Sequence, residues 1–288
     1  MDLLNYAFMQ RALIAAVLVG LTAPAIGTYL VQRRQAVMGD GIGHVAMTGV
    51  ALGFLLNTSP VWMATLVAVI GAVGMELIRS RGKTSGDIAL AMLFYGGLAG
   101  GVMIINMAGG STANLSSYLF GGIATVAPQD VTAAVILAAF VLAVTIGLRR
   151  QLFAISQDEE FARVTGLPVR ALNLLMAVTA AVTVTVAMRI VGLLLVSAMM
   201  VIPVAAAQRV TRGFVATLSL AMVIGVVVSL TGVSATYYLD APSGATIVLL
   251  AIAVFVVMTA LSAPLARRRA ASARAAAEEV CTRDDVKV

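Results

Sequence analysis

Residues 171–208 read ALNLLMAVTAAVTVTVAMRIVGLLLVSAMMVIPVAAAQ, and Arg189 is the one charged residue among them. As a single helix these 38 residues would reach about 57 Å at about 1.5 Å per residue. The hydrocarbon core of a bilayer is only about 30 Å thick. The stretch is therefore two spans, with almost no connector between them around 188–190. Making one of them re-entrant would flip the parity of every later segment and carry the basic run Arg267, Arg268 and Arg269 to the opposite side.

Outward from this pair, apolar segments of spanning length fall at about 11–32, 42–57, 61–78, 87–107, 130–148, 171–187, 190–208, 213–232 and 243–265. The expected fold is an all-α polytopic transmembrane bundle of nine spans, with eight plus a partial helix as the alternative. The first apolar run is full length and has no basic leader or small-residue cleavage site, so it is expected to stay as a span. Residues 1–266 form the expected membrane domain. Residues 267–288, RRRAASARAAAEEVCTRDDVKV, have the composition of a disordered cytoplasmic tail.

Composition agrees with the spans. Of 288 residues, 61% are apolar or aromatic and 11% are charged, far from the balance of a soluble domain. The single cysteine, Cys281, excludes a disulfide framework, an iron-sulfur site and a CxxC zinc module. The single histidine, His44, excludes HExxH and three-histidine sites. The net charge of +6 is a topology signal rather than a nucleic-acid signal. If Arg33 and Arg34 lie inside, 17 of the 19 basic residues lie inside, and only Arg11 and Arg189 lie outside. Positive charges at span ends are retained in the cytoplasm, so the N-terminus is expected outside and the C-terminus inside. Trp62, Tyr237 and Tyr238 then fall at outer ends, where interfacial aromatics belong.

Ionisable groups within spans are functional candidates by default, and Asp40 and His44 are the pair at helical spacing. They stand at i and i+4 in Gly39-Asp40-Gly41-Ile42-Gly43-His44, so a helix puts them on one face, with Thr48 a turn further. Carboxylate and imidazole together suit borderline divalent transition metals and suit potassium or magnesium poorly. The other reading is an Asp-His hydrogen bond that only anchors the inner end of a helix. Glycines 39, 41, 43, 49 and 53 thin this helix for close approach by a neighbour. Glu76, three residues before Arg79, reads as an interfacial ion pair first and a transport group second. Asp87, Asp130 and Asp240 fall at segment ends and need no special role.

Enzyme readings fail on inspection. Gly82-Lys83-Thr84 lacks the earlier glycine of a phosphate-binding loop, since residue 77 is Leu. An intramembrane aspartyl protease needs a second aspartate to share a proton with Asp40, and Asp240 belongs to an outer loop. No serine near His44 forms a nucleophile arrangement.

Two connectors stand apart. Residues 108–129 carry no charge until Asp130, and 115–121 are expected to form a short, partly inserted helix at an outer gate made by Ser117, Tyr118, Leu119, Phe120 and Gly121. A packed surface loop is the alternative. Residues 149–170, RRQLFAISQDEEFARVTGLPVR, form the largest inner feature. Its centre, 158–164, has the pattern of a short amphipathic helix at a protein contact, and Gly166 and Pro168 end it.

Three separated motifs resemble the membrane subunits of the zinc, manganese and iron ABC importers: Gly39-Asp40 through His44 to Gly49 and Gly53; Ser117-Tyr118-Leu119-Phe120-Gly121; and Val191-Gly192-Leu193-Leu194-Leu195-Val196 with Pro203 after it. The inner loop Asp158-Glu159-Glu160-Phe161-Ala162-Arg163 to Gly166 is similar to that family's coupling loop. The resemblance covers nearly the whole chain up to about residue 265.

It implies a type II importer permease, of the kind shared with cobalamin and siderophore importers, in a bacterial inner membrane. Two permease subunits, identical or different, would form the pathway. A cytoplasmic ATP-binding subunit dimer would press on the coupling loop, and an extracytoplasmic metal-binding protein would deliver the cargo. Asp40 and His44 would face the pathway as metal ligands. No cofactor is held permanently; zinc, manganese or iron passes through. The competing readings are a stand-alone secondary metal transporter or channel, which predicts inverted repeats and several intramembrane charges, and a structural membrane scaffold.

Overall fold

The computed structural model describes residues 7–80, 86–107, 119, 121, 128–239 and 242–262. Among them regular structure is helical throughout: α1 (Ala7–Gln32), α2 (Met38–Leu55), α3 (Pro60–Ser80), α4 (Gly86–Met107), α5 (Pro128–Gly147), α6 (Arg149–Gln157), α7 (Glu159–Val164), α8 (Val169–Val191), α9 (Leu193–Val210), α10 (Phe214–Leu239) and α11 (Ser243–Ser262). Eight of these, all but α2, α6 and α7, are long and apolar enough to cross a membrane.

The ninth expected span, α2, has the length but is diluted by Asp40, His44 and its glycines. It is also largely enclosed by others, packing on α3, α4, α8 and α9. Lipid cannot drive helices together by the hydrophobic effect, so close approach through small residues does the work. A Cβ on Gly97 of α4 would stand 2.6 Å from Val45 N and 2.8 Å from His44 C, so α4 lies against the α2 backbone at the histidine itself. On the far side, a Cβ on Gly49 would stand 2.6 Å from Ala64 Cα of α3. The same device joins α1 to α10, where a Cβ on Gly20 would sit 2.7 Å from Gly225 O.

Buried hydroxyls are satisfied inside their own helices, as hydrocarbon surroundings demand. Thr145, Thr179, Thr183 and Thr185 each donate to the carbonyl four residues earlier. Tyr29, fully buried in α1, donates instead across the bundle to Thr145 O in α5.

The span pair around 188–190 exists, but its break is displaced. α8 runs on through 188–190 to Val191, the chain turns at Gly192 with φ 89° and ψ 153°, and α9 starts at Leu193. Residues with a Cβ rarely adopt that conformation, so the break falls on the glycine rather than at Arg189. Trp62 and Tyr238 are exposed, as expected of interfacial aromatics. The side chain of Tyr237, Asp240 and the tail 267–288 lie outside the description.

Candidate metal passage site

Asp40 sits in the first turn of α2, and no side chain caps the preceding Val37. The uncapped amides of that turn and the helix dipole both favour a negative charge there, which offsets the cost of placing a carboxylate inside the bundle. His44 follows one turn later on the same face. Their facing atoms, Asp40 Oδ1 and His44 Nε2, are 3.9 Å apart, and the side chains are 32% and 13% exposed. That separation is beyond hydrogen-bond length, so the anchoring bond is not formed and both groups keep free acceptor capacity. The other imidazole nitrogen, Nδ1, is buried and has no hydrogen-bond partner. The ring is held by Phe94 of α4, edge to face at 4.5 Å between centroids. Thr48 does not join the pair: its hydroxyl donates to Gly97 O at 2.6 Å and bridges α2 to α4.

The opposite wall comes from α9. Leu193, Ser197 and Met200 descend that helix at spacings of four and three and meet α2 in reverse order. A Cβ on Gly43 would overlap Leu193, Ser197 Oγ donates weakly to Asp40 Oδ1 at 3.4 Å, and Met200 sulfur would stand 2.8 Å from a Cβ on Gly39. Sequence reading missed Ser197 and Phe94. The signal for Ser197 was faint: a hydroxyl one turn after the glycine break, in a helix that otherwise lacks hydroxyls.

Two of the motifs meet in space. Gly121, at φ 75°, packs against the backbone of Val191 and Gly192, and Leu119 is packed on the core. Ser117, Tyr118 and Phe120 lie outside the described residues.

At the end of the bundle where Arg33 and Arg79 lie, the short helix expected from the sequence is present as α7, preceded by α6. Asp158 caps it, accepting from Phe161 N at 3.0 Å, and Gly166 leaves it at φ 83°. Ala162 is buried against the bundle, whereas Phe161 and Val164 are 64% and 86% exposed. Glu160 is exposed and loosely paired with Arg163 at 3.6 Å.

Glu159 turns inward. Its Oε2 accepts from Arg33 at 3.2 Å and from both terminal nitrogens of Arg79 at 3.2 Å, and its Oε1 accepts from Asn173 Nδ2 at 3.1 Å. Arg33 also donates to Asn173 Oδ1 at 2.8 Å. Arg79 forks onto Glu76 at 2.9 and 2.8 Å, the pairing expected from sequence, and Glu76 is buried. Burial opposes the charge on Glu159, but Arg79 and Arg33, with hydrogen bonds from Arg79 and Asn173, outweigh it and hold its carboxyl below the usual carboxylate range. No sequence signal links Arg33 and Asn173 to the Glu76–Arg79 pair, although Asn173 is the one amide between 171 and 207.

A polytopic helical bundle with eight helices long and apolar enough to cross a membrane, a carboxylate–imidazole pair left open within it and an exposed short helix at one end has the build of a membrane transport subunit. The chain belongs to the ABC 3 transport family, whose model matches residues 5–262. It is similar to the manganese transport system membrane protein MntC of Halalkalibacterium halodurans, 32% identical over 88% of this chain and 87% of that protein. It is also similar to the manganese import system permease protein ScaB of Streptococcus parasanguinis, 32% identical over 92% of this chain and 94% of that one. Among solved structures, PsaBC from Streptococcus pneumoniae in complex with Fab superposes with a TM-score of 0.79 at 30% identity, over 89% of this chain and 92% of that one.

Proposed function

We propose that this permease carries a divalent transition metal ion inward past Asp40 and His44, driven by a separate ATPase that docks on α7. The observation that carries the reading is the open pair. Asp40 and His44 point at one another without bonding, and the imidazole retains an unbonded buried nitrogen. Within an apolar bundle a polar group left unbonded is costly, and a passing cation compensates that cost.

Among the described residues no group of three or more His, Cys, Asp or Glu side chains comes together. One carboxylate and one imidazole are too few to hold a dication in a closed site, and a transported ion must be released as well as captured. A second permease subunit facing the first would double the ligands at the pathway. Relatives carry manganese in their names, and one is a probable iron transport system membrane protein of Haemophilus influenzae. Zinc, manganese and iron all accept this donor set.

The rest of the assembly follows the same reading. The ATP-binding subunit dimer sits on the inner face at 158–166, a metal-binding protein docks outside, and residues 115–121 with the Gly192 break form the outer gate. The N-terminus is outside and the C-terminus inside a bacterial inner membrane. The basic residues support this orientation, and so does the meeting of Arg33, Arg79 and Glu159 at one end of the bundle. Uptake of radioactive zinc or manganese into vesicles containing the permease, its ATPase and its binding protein tests the reading. Asp40→Ala and His44→Ala are each expected to abolish uptake while the complex still assembles and hydrolyses ATP. Wild-type rates in both would reduce the pair to a helix anchor.

A further inference from the structure

Glu159 is the place where the exposed docking helix is tied to the membrane-spanning helices. Through one carboxylate it holds the inner end of α1 by Arg33 and the inner end of α3 by Arg79, and it shares Asn173 of α8 with Arg33. The side chain of Arg33 is only 6% exposed. The guanidiniums of Arg33 and Arg79 balance the carboxylates of Glu76 and Glu159, with the exposed Arg163 at 3.9 Å from Glu159 on the solvent side, and losing one of the four inner members leaves a charge uncompensated.

The position of the cluster matters more than its strength. Arg33 and Arg79, with Arg34, Gln35, Met38, Met75 and Leu90, line a cavity of about 280 Å³. Met38 opens α2 two residues before Asp40, and Leu90 lies against Gly41, where a Cβ would meet it at 3.4 Å. The cavity therefore lies between the Asp40 turn and the cytoplasmic end of the bundle, and the two arginines that Glu159 holds are among its walls. The link from Arg33 to α2 is tight as well. Gln35 N donates to Leu30 O, Arg34 takes φ 59°, and Met38 N donates to Gln35 O, so a displaced Arg33 carries the first turn of α2 with it.

On the permease reading above, we propose that Glu159 is the positioning residue of the inner gate. Movement of the docking helix reaches the cavity beneath Asp40 through this carboxylate, which shifts the Arg33 and Arg79 walls together and lets the cation leave. Phe161 and Val164 face outward and serve docking; Glu159 faces inward and serves transmission.

The test uses the full complex in vesicles with two variants. Glu159→Gln keeps the size and removes the charge. Arg33→Lys keeps the cluster neutral, so it guards against simple misfolding, but it cannot reach Asn173 and Glu159 together as a guanidinium does. Metal taken up per ATP hydrolysed is measured, together with labelling of Leu90→Cys from the inner side, with and without ATP, in a Cys281→Ser background. Both variants are expected to retain the ATPase and its hydrolysis while uptake per ATP falls about tenfold, a loss typical of coupling between sites. Labelling of Leu90→Cys should respond to ATP in the parent and not in the variants. A ratio within about twofold of wild type in both, with labelling that still responds, would overturn the proposal, because a merely structural role lowers assembled complex without changing uptake per ATP. If the parent complex hydrolyses ATP and imports no metal, the permease reading fails, and the labelling response still decides the role of Glu159.

Discussion

Asp40 with His44, and Glu159 with its two arginines, are both carboxylates facing nitrogen-bearing side chains within one bundle, and they are built in opposite ways. The Glu159 cluster is closed: every contact to Arg33, Arg79 and Asn173 lies between 2.8 and 3.2 Å, and the partners come from the turn after α1, from α3 and from α8. The Asp40 pair is open at 3.9 Å, both members come from one helix, and an imidazole nitrogen is left over. Closed pairing makes a joint that keeps helices in register. Open pairing makes a station where something else can complete the coordination. An i, i+4 pair on a single helix does not itself join two helices, and its contacts across the bundle are a weak hydrogen bond from Ser197 and the edge-to-face ring of Phe94.

The most severe break of this contrast is removal of the open pair. Asp40→Ala or His44→Ala should take metal uptake to the level of vesicles without transporter, with little change in melting temperature, since neither side chain bridges helices strongly. A large loss of stability in either would place the pair among the joints.

Next in size is Phe161→Asp, which puts a charge at the exposed apolar anchor of α7. Co-purification of the ATPase should be lost while membrane insertion continues. Undiminished co-purification would move the docking surface away from 158–166.

Gly97→Val attacks the ground beneath the open pair. A side chain at 97 collides with backbone at His44 and Val45, where yielding is difficult, and overpacking of this kind costs about 1–3 kcal/mol. Uptake should fall with the melting temperature of the purified permease. Full uptake would show that α4 does not set the position of His44.

A milder effect is expected from acid. The carboxyl of Glu159 is held below its ordinary range, so its contribution is complete above the usual carboxylate value of about 4.3 and is lost as pH falls through the lower folded value. The melting temperature of the purified permease should therefore hold between pH 7 and about 5 and drop below about 4, measured by thermal unfolding across that range. A drop that begins above pH 6 would mean that another group governs the joint. The smallest effect belongs to Thr48→Val. It removes one hydrogen bond to Gly97 O, worth about 0.6 kcal/mol within a bilayer bundle, or about 1–2 °C of melting temperature.

The spans were legible in the sequence because burial in lipid demands long apolar runs, and Gly192 was available as a break because it interrupts the apolar run at 171–208. Asp40 and His44 were legible because both lie on one helix, where spacing alone fixes their face. Residues 158–166 were legible as a short helix because the mixed face and the stop at Gly166 are local signals.

What lies opposite those residues was not legible. No spacing relates Ser197 to Asp40, or Arg33 and Asn173 to Glu159, because each pair is separated by more than one connection whose path only packing fixes. Nor could sequence tell that α2 would be the enclosed helix rather than a lipid-facing one, although its glycines allow it. The sequence by itself determined the solvent of this protein, its long helices and the shared face of Asp40 and His44. Tertiary structure decided which polar groups are satisfied and which stay open, because in an apolar medium that depends on the partner each one finds across a helix interface.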